Sequence, residues 1–410
     1  MFGSRMLSFL RQQPSSNPAS RITTCQSFIE DMWFYSLLYS PLVLLEFILV
    51  LLLTRTRLRR LFLFVLLNFI FGSLAFSYFS SSSLGNKAVW TTFPYFGNAK
   101  FILQEKLRRP RPVIPGFVVV NVKATSLNPA DYKALHKTSW IPFLRWILPH
   151  SLTYNIAGIV QESNCDLFKA GDRVYGISFF GGTQNFVLAD CKSLGKIPNL
   201  ISYEAASTVP TIFASGKRAL DQSKPGDNIL IVGASGGCGH AGSLLAKQFN
   251  PGRVYCISSE KNKDFVKKKG CDEVLTYDSK NFKDELARLT GKIDLIYDTV
   301  TSFDSGIDYY PRLKSLLKPN GKYMALNGYL SDLIHTILRY FTGIDYRRFE
   351  LVHGRPIRED YDFFYEHAEM FNQVEISEVL DGLSVKQVSY AYEKLQNHHV
   401  VGKIVLKIDN

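Results

Sequence analysis

The sequence predicts an α/β chain: a strand-rich segment, then a doubly wound parallel sheet, with an apolar helical region ahead of both. Three observations predict it. Two long apolar runs fill much of the first 85 residues. From Lys87 onward short β-branched runs bounded by turn residues come first. Strands then alternate with helical patterns at the spacing of βαβ units.

Size and composition agree. The 410 residues exceed what one core usually fills, near ~250–300 residues. A mixture of 46% hydrophobic, 20% charged and 13% aromatic residues excludes disorder and collagen-like fibres. The net charge of +12 is spread along the chain: residues 1–85 hold seven Arg, no Lys and three acids, hence +4, and the rest holds +8. So diffuse a surplus reads as solvated surface, and no nucleic-acid partner is expected. The six cysteines contain no C-x-x-C pair. That argues against a cysteine zinc module, and a chain this long has no need of a disulfide framework.

The first region reads as membrane-seeking. Residues 33–53 are apolar apart from interruptions such as Pro41 and Glu46, and 61–79 admit only Asn68, Ser73 and Ser77 as polar residues. At ~1.5 Å per residue either run is long enough for a ~30 Å hydrocarbon core. The connector 54–60 (TRTRLRR) carries four arginines and marks an interface. Ahead of it, Phe2, Met6, Phe9 and Leu10 fall on one helical face, and Ser4, Arg5, Ser8, Arg11 and Gln12 on the other. Such a basic, acid-free amphipathic start resembles a mitochondrial presequence; a short interfacial helix is the alternative. If both runs cross, the positive-inside rule puts the rest of the chain opposite the arginines; if only the first crosses, both share one side. Residues 80–85 then read as a flexible link. The expected location is a membrane, mitochondrial or of the ER or another cytosol-facing compartment, with the lipid bilayer as partner.

Each later element has a local reason. Residues 117–124 (FVVVNVKA), 156–160 and 173–177 read as strands, with Gly171-Asp172 as a turn. Residues 228–232 (NILIV) form a short buried strand, 233–239 a glycine-rich loop and 240–249 a helix. A strand at 253–257, a helix at 263–269 and strands at 273–277, 294–298 and 322–326 complete the alternation.

The loop 233–239 (GASGGCG) follows a strand and opens a helix. Glycines there permit close backbone approach to a pyrophosphate, and the helix N-terminus supplies free N–H groups. Ser235, Gly236, Gly237, Cys238 and Gly239 are the expected contacts. The same residues fit G-x-S-x-G, an α/β-hydrolase elbow with Ser235 as nucleophile. Asp298 with His353, His367 or His398 supplies an order for that rival, which leaves Gly239 and the early strands unexplained.

Together these segments resemble the zinc-free, quinone-oxidoreductase-like medium-chain dehydrogenase/reductases. The resemblance rests on 122–133 (VKATSLNPADYK), 157–160, 169–176 (KAGDRVYG), 196–210, 231–247, 293–300 (IDLIYDTV), 321–328 and 402–408 (GKIVLKI). It covers about 86–410. It implies a GroES-like β-barrel domain at 86–211, interrupted by a Rossmann doubly wound parallel-sheet domain at 212–354, with 355–410 returning to the barrel and 1–85 additional. It also implies a cleft between the two domains, a small-molecule quinone or enone as partner, and allows a homodimer.

Zinc members of that superfamily place Cys and His-Glu where this chain has Asn128 and Tyr154-Asn155, so no metal is expected and reduction rests on hydride geometry and hydrogen-bond donors. His398-His399 reads as a polar loop. By resemblance Asn128, Asp131 and Tyr132 line the cleft: Asn128 bonds a substrate carbonyl, Asp131 pins the loop, and Tyr132 is either a proton donor or a packed ring. Thr299 and Asn327 are carried over as cofactor contacts. After the second strand, Ser258, Ser259, Lys261 and Lys263 look like a pocket for a 2′-phosphate, and Tyr277 resembles a residue near it. NADPH is therefore expected, with Glu260 keeping NADH open. Thr301 replaces a family glycine, Thr153-Tyr154-Asn155 replaces Gly-Tyr-Asp, and Lys217 stands where an aromatic or apolar residue is common. These departures weaken the nicotinamide end and leave room for a non-catalytic relative acting in membrane organisation or protein sorting.

Overall fold

The computed structural model describes residues 81–92, 100–112, 115–138, 152–178, 181–302, 306–328, 332, 348–397 and 400–408. The membrane reading of 1–79 and the His398-His399 loop lie outside them. Among the described residues no helix is long and apolar enough to cross a membrane.

Strands β1 (Ser81–Thr92) and β2 (Lys100–Pro110) form an antiparallel hairpin. The link expected at 80–85 is thus largely strand, with Ser81 opposite Pro110 and Leu84 opposite Arg108. Backbone pairing needs no apolar side chain, so a serine-rich strand escapes a hydrophobicity reading. Downstream, Asn86 locks the hairpin to the main sheet by donating to Gln184 and to the Phe186 carbonyl and accepting from the Phe186 N–H.

The first sheet comprises β3 (Phe117–Ser126), β4 (Asn155–Asn164), β5 (Arg173–Ile177), β6 (Phe186–Asp190) and β7 (Leu194–Lys196). Their β-branched faces bury Val118, Val120, Val122, Ile156, Val174 and Val187 in one core. The second sheet is parallel throughout: β8 (Asn228–Val232), β9 (Arg253–Ser258), β10 (Glu273–Thr276), β11 (Ile293–Asp298), β12 (Leu317–Ala325) and β13 (Phe349–Leu351). Its order, β10-β9-β8-β11-β12-β13, reverses direction between β8 and β11. Such a switch point opens a crevice at the carboxyl ends of those strands. Finally β14 (Ile376–Asp381) and β15 (Lys403–Lys407) rejoin the first sheet beside β3.

Helix Tyr203–Leu220, capped by Ser202 Oγ accepting from Ala205 N at 3.1 Å, joins the two halves. Its Val209, Ile212 and Phe213 share a core with Tyr175 of β5 and with Ile229 and Ile231 of β8. The helix runs through 211 and 212 without a break.

Two disulfides, Cys165–Cys191 and Cys256–Cys271, overturn the expectation that none is needed. The partners are 26 and 15 residues apart. Sheet pairing brings them together, which spacing along the chain does not reveal.

Candidate active site

A cleft of about 1070 Å³ lies at the crevice between β8 and β11 and is walled by both sheets. Its first wall is the glycine loop. Gly233 adopts φ +77°, which a side chain disfavours, and Gly236 N donates back to Gly233 O at 3.0 Å. Helix Gly237–Ala246 begins at Gly236 without a side-chain cap, so first-turn N–H groups are left for a ligand. Ser235, Gly236, Gly237 and Cys238 line the cleft. A Cβ on Gly236 would meet only Gly233 O, at 3.4 Å. Gly239 lies behind the wall: a Cβ there would stand 2.1 Å from Gly233 O, so its role is close packing of helix on turn. His240 ties the loop down, its Nε2 accepting from Glu375 N at 3.3 Å and its Nδ1 donating to Gly236 O at 3.0 Å. Burial pushes its pKa down to about 4 and keeps it neutral.

At the end of β9, Ser258, Ser259 and Lys261 line the cleft, facing Tyr277. Ser258 Oγ is buried without a hydrogen-bond partner. Lys263 does not join them; it pairs with Glu260 at 3.3 Å on the outer surface. Thr299 and Asn327 complete this wall, Thr299 Oγ1 donating to Val232 O at 2.7 Å. Arg312 and Tyr309 also line it, and nothing in the sequence pattern singled them out.

The opposite wall carries Asn128, Asp131 and Tyr132. Asp131 Oδ2 accepts the Asn128 N–H at 2.6 Å. Burial pushes the Asp131 carboxyl up to about 7, opposed by that N–H and by the charge of Lys403. Lys403, from β15, is buried and donates to Asn128 Oδ1 at 2.6 Å and to the Leu127 carbonyl. Burial pulls its pKa down to about 8, opposed by the charge of the neighbouring Asp131 carboxylate. Sequence reading passed over this residue. The one signal was a lysine, directly after Gly402, heading the apolar run Ile404–Leu406. Lys133 Nζ reaches across the cleft to Ser302 Oγ at 3.0 Å.

The departures from the family pattern have local compensation. Thr153, in the place of a glycine, takes φ +66°, and its Oγ1 lies 2.6 Å from Thr125 Oγ1. Thr301 Oγ1 donates to Asp298 Oδ2 and accepts from Tyr309 N, so the missing glycine is replaced by a bonded turn. Lys217 turns away to Asp221 and Asp360. Asn155 uses both ends of its amide on Ser126 Oγ and Thr211 Oγ1. Among the described residues no group of three His, Cys, Asp or Glu is placed to hold a metal ion.

The hydrolase reading of Ser235 fails on topology. Strand order 3-2-1-4-5-6 is that of a dinucleotide-binding sheet. Asp298, nominated there as the acid, instead accepts from Val300 N, Thr301 N, Thr301 Oγ1 and Tyr323 Oη.

Comparison with known proteins gives the same frame. The family model for the alcohol dehydrogenase GroES-like domain matches residues 114–199, and that for zinc-binding dehydrogenases matches 269–406. A zinc-type alcohol dehydrogenase-like protein of Schizosaccharomyces pombe is 27% identical over 80% of this chain and 99% of its own length. A chloroplast envelope quinone oxidoreductase homolog of Arabidopsis thaliana is 33% identical, over 53% of this chain and 65% of its own. The solved quinone oxidoreductase of Coxiella burnetii superposes with a TM-score of 0.63 at 26% identity, covering 79% of this chain and all of its own.

Proposed function

Since the chain belongs to the quinone-oxidoreductase-like medium-chain dehydrogenase/reductases, we propose that it is a membrane-anchored, zinc-independent NADPH oxidoreductase reducing a quinone or an activated enone. The observation that carries this reading is one cleft with an uncapped glycine-loop helix on one wall and Asn128 on the other. A nicotinamide dinucleotide fits the residues present: the space beside Gly236 is open, and the orphaned Ser258 Oγ awaits a partner. Gly236 and Gly237 would hold the pyrophosphate; Ser258, Ser259, Lys261 and Tyr277 would hold the adenosine end, and its 2′-phosphate selects NADPH. Thr299 and Asn327 would hold the nicotinamide half. Reduced nicotinamide, when bound, supplies a hydride.

The chain's own residues do the rest. Asn128 points its NH₂ at the acceptor's oxygen and stabilises the negative charge that gathers there as the acceptor carbon gains its C–H bond. A proton from solvent completes the reduction. Asp131 holds the Asn128 backbone in place. Tyr132 stands in the same wall. The amides at Asn128 and Asn155 stand where zinc ligands would be needed, which favours metal-free chemistry. The apolar runs at 33–53 and 61–79 supply the anchor. Purified full-length chain in detergent should oxidise NADPH with at least one member of a quinone and enone panel. An enzyme that binds NADPH but reduces none of them sinks the activity.

A further inference from the structure

A buried ammonium is costly unless paired, and Lys403 is the described cation set deepest in this cleft. It comes from the closing strand, threads past the glycine loop and ends on the opposite wall. Gly402 N bonds Ser235 O at 3.0 Å, which seats the strand against that loop. A Cβ on Gly237 would stand 2.8 Å from Lys403 Cδ, so the loop is shaped around this side chain. At its tip, Asn128 supplies the side-chain acceptor. An ammonium has three donors and no acceptor, so it can meet only the oxygen end of a carboxamide. The NH₂ end is thereby turned to the cleft.

We propose that Lys403 is a positioning residue for the reduction: its ammonium fixes the flip state of the Asn128 amide, so that the amide faces the acceptor as a donor. The inference rests on the oxidoreductase reading for its kinetic meaning, but not for its geometry. Once Lys403 loses its proton it carries a lone pair and can meet either end of the amide, and the orientation is no longer enforced. With the pKa pulled down to about 8, that loss falls within an accessible range. The titratable groups around it are Asp131 on helix Pro129–Thr138, and Cys238 and His240 on helix Gly237–Ala246. Tyr154 and Tyr392 lie beside Asp131. Burial holds the Tyr154, Tyr392 and Cys238 protons on through this range, and His240 stays neutral.

The test is a double-mutant cycle on the full chain, with pH profiles. Lys403→Met should lower kcat about 10- to 100-fold, part of the loss expected for a missing oxyanion donor, with the Kd for NADPH unchanged. In an Asn128→Ala background the same change should cost less than about twofold. The wild-type alkaline limb near pH 8 should vanish in both single variants. Independent, multiplying losses, or an alkaline limb that persists in Asn128→Ala, would overturn the proposal, and the latter test does not require Lys403→Met to fold. A wild type that reduces no acceptor refutes the activity instead. The positioning role is then read from ¹⁵N-asparagine labelling. The side-chain NH₂ signal of Asn128, identified by its loss in Asn128→Asp, should move with a midpoint near pH 8. A signal with no step near pH 8, or whose only step is the one near 7 that Asp131 supplies, overturns the role.

Discussion

Lys261→Ala should erode the preference for NADPH over NADH, whereas Lys263→Ala should not. The two lysines stand two positions apart and read alike in the sequence, but only Lys261 lines the cleft. Lys263 is held by Glu260 at 3.3 Å. A hydrogen bond from an ammonium to a phosphate is worth about 1.5–3 kcal/mol. Lys261 is exposed, so solvent screening puts it at the low end. The Coulomb scale agrees: two unit charges ~4 Å apart interact by about 1 kcal/mol in water and about 4 kcal/mol at an effective dielectric of 20. About 1.5 kcal/mol is roughly tenfold in Kd. Calorimetric titration of both nucleotides should therefore show NADPH weakened about tenfold in Lys261→Ala and NADH within about twofold. Raising the salt to about 0.5 M should shrink the wild-type gap, since the screening length then falls well below 10 Å. An unchanged NADPH:NADH ratio in Lys261→Ala, or an equal effect at Lys263, would refute the assignment of the 2′-phosphate site.

Two further outcomes test the glycine loop and the metal. Gly236→Val should fold with a melting temperature close to wild type yet lose NADPH binding, because its Cβ meets only Gly233 O and its branches enter the cleft; Gly239→Ala should instead destabilise the fold by about 1–3 kcal/mol or more, with a Cβ 2.1 Å from that same oxygen, and differential scanning fluorimetry separates the two. Elemental analysis of folded protein should find less than about 0.1 zinc per chain, and chelators should leave turnover unchanged; one tightly held zinc would overturn the reading of Asn128, Tyr154 and Asn155.

The sequence was most legible where side-chain pattern and backbone agree. β5 and β8 have the bounds expected, because each is a short, mostly apolar run closed by a turn. β12 starts five residues before the expected 322, since Pro319-Asn320-Gly321 reads as a turn. The strand accommodates them through a register irregularity against β11, between Ile293 and Leu295. The glycine loop was legible because its neighbours on both sides are regular elements. Lys403, Lys263 and the two disulfides were not, for a shared reason. Each depends on what lies opposite in space: a carboxamide 275 residues away, a glutamate on the same turn, a cysteine on a neighbouring element. A lone sequence cannot separate a lysine buried on a carboxamide, one held by a neighbouring glutamate and one open to a phosphate.

The two disulfides bear on which side of a membrane the described residues would face. Disulfides persist in oxidising compartments and are rare in the cytosol. Cys165–Cys191 joins the end of β4 to the turn after β6, and Cys256–Cys271 joins β9 to the segment before β10. Of the two apolar runs, 61–79 is free of charge and proline, while 33–53 contains Pro41 and Glu46. If 61–79 alone crosses, all seven arginines of residues 1–85 stay on the positive side. The described residues then face the oxidising side, opposite to the shared-side topology the connector arginines first suggest. Burying even half of one ~20-residue apolar segment is worth on the order of ten kcal/mol or more at ~25 cal/mol per Å², so carbonate washing should not release the chain. A C-terminal tag should resist protease in intact vesicles, and a membrane-permeant maleimide should fail to label Cys165, Cys191, Cys256 and Cys271 until reductant is added. Release by carbonate would remove the anchor. A tag digested in intact vesicles, with those four thiols labelled in living cells, would put the enzyme on the cytosolic side with both cysteine pairs reduced.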